Sequence, residues 1–182
     1  MQTIEQNLTQ YAAYHRDRRN IATHMVGVPM IVFSLVLALA TVWIPIGPIT
    51  VTLAAIVAIA ACIFYFRLDF IFGVTMAVAF FVMCALASEI VHRMGIPAAL
   101  GLAALLFVIG WAIQFLGHKY EGMKPAFVDD TRQLLIGPLF ICAECYFLAG
   151  ARGPLRKFIE ERVGPTCAKR DGRPIPIFET DA

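Results

Sequence analysis

Gln114, His118 and Glu121 stand at i, i+4 and i+7 in WAIQFLGHKYEGMKPA (111–126), where an apolar run gives way to a polar one. If the helix survives Gly117, this spacing puts all three on one face. The chain has four histidines, His15, His24, His92 and His118. His15 and His24 are nine residues apart, about 900° on a straight helix, so they would face opposite ways. They can share a site only if the chain breaks between them, and Arg18-Arg19-Asn20, with Asn20 as a candidate N-cap, supplies such a break. Glu144 lies inside an apolar segment, where a carboxylate faces a partner or a water-filled cavity. If His15, His24, His118, Glu121 and Glu144 converge, they surround something charged, and a metal ion is the best candidate. Imidazole with carboxylate suits iron, zinc or manganese, and neutral imidazoles plus one carboxylate with open positions describe an oxygen-activating ferrous site. The blander readings are interfacial histidines that are simply hydrogen-bonded, and a Glu144 paired with Arg132. His92 stands apart. The segment 97–116 would separate it from His118 by about 30 Å, and Glu89, one turn earlier, is a structural partner for it.

The elements that must position these residues are apolar. Of 182 residues 59% are hydrophobic and 15% charged, against about half and a quarter in a soluble domain. Apolar segments fall at about 26–44, 49–66, 70–91, 97–116 and 134–150, most of them near the ~20 residues that span hydrocarbon. The expected architecture is all-α: a polytopic integral membrane helical bundle of four to five hydrophobic segments, preceded by an interfacial helix over 4–19. Residues 1–150 are expected to form one membrane-embedded catalytic domain and 151–182 a basic, Pro-rich cytosolic tail. Ile44-Pro45-Ile46-Gly47-Pro48 reads as a tight turn between two helices. Lysine and arginine in the loops put the N-terminus in the cytosol. Five full spans would then export a tail carrying seven basic residues, so four spans are favoured, with 134–150 entering and returning or docked against the others, and Gly137-Pro138 near its start permits a break. The first 25 residues are polar and charged, so the first apolar segment is expected to act as the insertion signal. Cys62, Cys84, Cys142, Cys145 and Cys167 form no disulfide framework and read as small core residues, the CxxC at 142–145 included. No basic face interleaved with exposed aromatics suggests nucleic acid, and neither a P-loop nor a nucleophile elbow is present.

Three blocks carry a resemblance. YHRDRRNIATH (14–24), GWAIQFLGHKYEGMKPA (110–126) and GPLFICAECYF (137–147) resemble the signature blocks of the Mpo1-like (DUF962) family, over residues ~10–150. The resemblance implies an iron(II)-dependent membrane dioxygenase of α-oxidation. Such an enzyme would take a 2-hydroxy fatty acid and O2 and release CO2 and a fatty acid one carbon shorter. It carries over His15, Asn20, His24, His118, Glu121 and Glu144, and His92-Arg93 matches a histidine-arginine pair of the family. Arg18 stands where family members often have proline. On this reading Fe(II) is held by His15, His24, His118 and His92. Glu121, Asn20 and Glu144 serve the chemistry, and Arg16, Lys124 or Arg132 meets the substrate carboxylate. The partners are a 2-hydroxy fatty acid, O2 and membrane lipid. An Ala- and Arg-rich chain without a retention signal points to a bacterial inner membrane, or the ER membrane in a eukaryote. The alternative is a non-enzymatic membrane scaffold, or a proton or metal-ion transporter using the same cluster. That alternative predicts polar residues spread along the spans, whereas segments 26–44 and 49–66 carry only Ser34, Thr41, Thr50 and Thr52.

Overall fold

The structure, a computed structural model, describes residues 2–128 and 130–169. The end of the expected tail, 170–182, lies outside the described residues. The chain divides into two compact units, Met1–Val28 with Ala112–Ala182, and Pro29–Trp111.

In the first unit, α1 (Ile4–Ala12) starts at a capping box: Gln6 N–H donates to the Thr3 hydroxyl and Thr3 N–H to the Gln6 side chain, satisfying two otherwise orphaned donors. Ile4, Leu8, Tyr11 and Ala12 are buried on one face, the i, i+4, i+7, i+8 stripe of an amphipathic helix. That face packs against α6 (Gln133–Leu148) and α7 (Gly153–Val163). After a turn over residues 13–17 the chain enters α2 (Arg18–Leu39). Asp17 caps this helix: its Oδ1 accepts from Arg19 N–H at 2.8 Å and its carbonyl from Ile21 N–H at 3.0 Å. The cap expected at Asn20 therefore lies three residues earlier, because Asn20 is already helical and its side chain is engaged elsewhere.

The second unit holds a short hairpin, β1 (Trp43–Ile46) with β2 (Ile49–Thr52), antiparallel with Trp43 opposite Thr52. The turn expected between two helices is thus a β-hairpin. The segment is rich in β-branched residues, Pro45 and Pro48 exclude helix, and Gly47 takes the positive φ of +59° that the turn needs. α3 (Leu53–Leu68) and α4 (Phe70–Met94) follow as an antiparallel pair joined at Asp69, whose side chain accepts from Phe72 N–H at 3.0 Å. α5 (Ile96–Glu121) is unbroken through Gly117.

The chain is an all-α polytopic membrane protein. α2, α4 and α5 are long and apolar enough to cross a bilayer, while α3 is shorter. Large apolar side chains such as Ile59, Val78, Phe81 and Val108 are exposed along these helices, as lipid contact requires and water would penalise. α6 with α7 makes a further candidate span or re-entrant pair, bent by 113°. The bend is not at Gly137-Pro138, which α6 accommodates, but at residues 149–152, where Gly150 and Arg152 both have positive φ. Past residue 150 the chain continues to fold: α7 buries Leu155, Ile159 and Val163, and Cys167 N–H donates to the Arg16 carbonyl. The cysteines are not core residues. Cys145 is exposed and the others half-buried, and none of the five forms a disulfide.

Candidate metal centre

The break between α1 and α2 lets two histidines nine residues apart meet. His15 closes the turn after α1, and its Nδ1 lies 2.8 Å from the Tyr11 carbonyl. His24, on the second turn of α2, has Nδ1 2.9 Å from the Asn20 carbonyl. A carbonyl only accepts, so both Nδ1 atoms carry the proton and both Nε2 atoms present lone pairs. Those Nε2 atoms are 3.1 Å apart. In neutral rings two lone pairs at that distance cannot bond; a cation between them resolves the conflict. Burial, reinforced by the two neighbouring imidazoles, holds the His15 pKa well below the ordinary histidine range, so the ring stays neutral. The third ring is His118, from the last turn of α5, with centroids 5.1 Å from His15 and 4.9 Å from His24. One donor nitrogen from each lies within 4.8 Å of the other two, and all three residues are buried. Nitrogens about 2.1 Å from an ion and at right angles stand about 3 Å apart, close to the His15–His24 spacing. The residues therefore fit a metal ion. The Tyr11 ring stacks on His15 at 4.2 Å and 2°.

Glu121 is wholly buried and holds the turn together. Its carboxylate accepts from Arg16 N–H at 3.0 Å, Asp17 N–H at 2.9 Å and Asn20 Nδ2 at 2.9 Å. Asn20 Nδ2 also donates to the Tyr14 carbonyl at 3.2 Å, so Asn20 and Glu121 pin the His15 turn to α5. The close approach of α2 and α5 depends on Gly117. A Cβ there would lie 2.5 Å from Asn20 Oδ1, 3.2 Å from His24 Nδ1 and against Thr23 Oγ1.

A cavity of about 350 Å³ has Arg16, the neighbour of His15, in its wall, though none of the three histidines lines it. Arg16, Arg18, Glu144, Arg156 and Glu160 give it a polar lining; Ile21, Ala22, Met25, Phe147, Leu148 and Ile159 give it an apolar one. Arg16 is 3% exposed. Its Nε donates to the Ala12 and His15 carbonyls, both at 2.9 Å, its Nη1 to the Gly164 carbonyl at 3.2 Å, and its Nη2 is 3.8 Å from Glu144 Oε1.

Comparison with known proteins decides the family. Residues 1–148 match the family described as 2-hydroxy-palmitic acid dioxygenase Mpo1-like. The chain belongs to the Mpo1-like family. It is 29% identical over 161 residues to the 2-hydroxy-palmitic acid dioxygenase MPO1 of Saccharomyces cerevisiae, covering 86% of this chain and 87% of the yeast protein. No solved structure matches.

All of His15, Asn20, His24, His118, Glu121 and Glu144 fall within the matched stretch of this Mpo1-like chain, whereas Arg156, Ile159, Glu160 and Thr166 of the cavity lie beyond it. Of the expected carboxylate binders only Arg16 lines the cavity. Lys124 is exposed, and Arg132 is exposed and paired with Asp130 at 3.1 Å. Glu144 pairs with Arg16 rather than Arg132. His92 is exposed on α4, in the other unit, and is not in the histidine group; Glu89 pairs with Arg93. Tyr11 and Asp17 are positioning residues that the sequence does not single out, and Gly117, which the sequence marks only as a threat to helix continuity, is a third. Their roles as ring platform, helix cap and close-approach point arise only once distant segments are packed.

Proposed function

We propose that this protein is an iron(II)-dependent dioxygenase that cleaves 2-hydroxy fatty acids. The reaction takes up O2, releases the carboxyl carbon as CO2 and leaves a fatty acid one carbon shorter. With one water formed the atoms balance, and the four electrons lost by the substrate are those O2 accepts, so no external reductant is needed. The observation that carries the reading is the pair of Nε2 lone pairs 3.1 Å apart with both Nδ1 protons committed to carbonyls, in a family that includes a 2-hydroxy-palmitic acid dioxygenase.

His15, His24 and His118 would hold the iron, which would supply the electrons that activate O2 and a positive charge for the substrate carboxylate and 2-hydroxyl. The Tyr11 and Asn20 carbonyls keep two rings in the ligating tautomer. Arg16, fixed by three carbonyls, offers a buried positive charge to the carboxylate, which exchanges with Glu144. Glu121 is committed to three N–H donors, so Glu144 is the carboxylate that takes the hydroxyl proton. The apolar wall of Ile21, Met25, Phe147 and Leu148 receives the start of the acyl chain.

The test is oxygen uptake by the purified protein with 2-hydroxypalmitate, with and without a ferrous chelator, alongside iron content of His24→Ala and His118→Ala. The expected result is chelator-sensitive uptake, with pentadecanoate formed and iron lost in both variants. Unchanged iron in both refutes the ligand roles. Uptake that ignores the chelator refutes the iron chemistry, and metal binding without uptake returns the protein to the transporter class.

A further inference from the structure

Gln114 is 4% exposed, and neither Oε1 nor Nε2 has a hydrogen-bond partner. A buried amide left in that state costs free energy, so such a group needs a reason. One turn later on α5, His118 Nδ1 is also buried and unpartnered. Residues four apart on a helix have Cβ atoms about 6 Å apart on one face. Measured around the helix from Gly117, which abuts His24 Nδ1, His118 is at about +100° and Gln114 at about +60°. The amide therefore leaves the helix within the arc that faces the histidines.

The other two rings supply the pattern. His15 Nδ1 is held by an oxygen of residue 11 and His24 Nδ1 by an oxygen of residue 20, each four residues earlier. Residue 114 is four before His118. In α5 the backbone carbonyl four residues back does not hold this Nδ1, and the side chain at that position carries an acceptor that nothing else uses.

We propose that Gln114 is the positioning residue of the third ligand: with metal bound, its Oε1 accepts from His118 Nδ1–H, which directs His118 Nε2 to the ion. All three imidazoles would then ligate through Nε2, each steered by an oxygen four residues before it. The inference rests on the metal site proposed above, though not on the reaction assigned to it.

The experiment is anaerobic titration of the full-length, metal-free protein with Fe(II), and with Co(II) for its ligand-field spectrum, in wild type, Gln114→Met and Gln114→Glu. Losing such a partner weakens metal binding about 10- to 100-fold. The Met variant is expected to show that loss and an altered Co(II) spectrum, and the Glu variant, which restores the acceptor, to recover both. Melting of the metal-free Met variant should be unchanged or higher, because an unpaired buried amide has been removed. Wild-type affinity in Gln114→Met overturns the proposal, since His118 then ligates without this partner. So does a metal loss that Glu does not rescue and that comes with a lower metal-free melting temperature, the mark of a packing role. A wild type that binds metal normally but consumes no O2 with 2-hydroxypalmitate sinks the dioxygenase reading and leaves this one standing; a wild type that binds neither metal sinks both.

Discussion

Gly117→Ala sets two effects of known sign against each other. In an exposed helix interior the change stabilises by about 1 kcal/mol through helix propensity. Here the added methyl would lie 2.5 Å from Asn20 Oδ1, 3.2 Å from His24 Nδ1 and against Thr23 Oγ1, and overpacking of this kind costs about 1–3 kcal/mol. None of the three neighbours can give way cheaply. Thr23 Oγ1 donates to the Asn20 carbonyl at 2.7 Å, Asn20 holds Glu121 at 2.9 Å, and the His24 ring is tied to the same Asn20 carbonyl. Relief therefore means α2 moving away from α5, which separates His24 from His118. The expected net change in metal-free stability is small, between about 0 and 2 kcal/mol lost. Metal binding should suffer far more, because a displacement of about 1 Å can cost about 100-fold in a site that needs fixed geometry. The assay is iron per chain after anaerobic reconstitution, together with the melting temperature of the metal-free protein. Full iron with a raised melting temperature would refute the close approach of the two helices, and with it the account of how the rings meet.

Other substitutions separate ligand, clamp and surface roles. Glu121→Gln replaces an acceptor of three N–H groups with an amide that can accept through only one oxygen; bonds to a charged acceptor are each worth about 1.5–3 kcal/mol, so both melting temperature and iron content should drop, and a variant as stable as wild type would show the clamp to be idle. His92→Ala, at an exposed position, should keep its iron and change stability by less than about 0.5 kcal/mol; iron loss would bring His92 into the site. Arg16→Gln should raise the KM for 2-hydroxypalmitate more than about ten-fold, as truncation of one side of a buried charge pair does, while Lys124→Gln and Arg132→Gln leave KM within about two-fold; the opposite ranking would move the carboxylate site to the loop.

The apolar segments were legible because hydrophobic run length is set by bilayer thickness, and α2 to α6 fall on the five segments read from the chain. The shared face of Gln114, His118 and Glu121 was legible for the same kind of reason: helical period fixes it, and α5 runs through Gly117. The need for a break between His15 and His24 followed from helical geometry, but its place did not. Asn20 and Asp17 are both good caps by type, and only packing decides between them, since Glu121 from 101 residues further along claims the Asn20 side chain. The hairpin at 43–52 was misread because Pro and Gly announce a turn without saying what flanks it. Gly137-Pro138 permits a break that α6 does not take, since the helix runs through Pro138, whereas residues 149–152 hold the positive φ values that turn the chain. Which cation meets the cavity could not be read at all: Arg16, Lys124 and Arg132 each carry a full positive charge, and burial distinguishes them.

The charges around the centre imply an order of binding. As metal ligands the three imidazoles would add no charge, Arg16 and Glu144 offset one another, as do Arg156 and Glu160, and Glu121 brings a buried carboxylate three residues from His118. A fatty acid carboxylate entering the metal-free site meets that charge unfavourably; unit charges about 5 Å apart interact by about 3 kcal/mol at an effective dielectric of about 20. A divalent cation held by neutral imidazoles reverses the sign and attracts the carboxylate. The prediction is that 2-hydroxypalmitate binds the metal-free protein at least about ten-fold more weakly than the protein loaded with Zn(II), a redox-inert stand-in, measured by equilibrium binding in the same detergent. Equal affinity for metal-free and zinc-loaded wild type would mean that the acyl chain and Arg16 alone set binding, and that the carboxylate does not approach the three histidines.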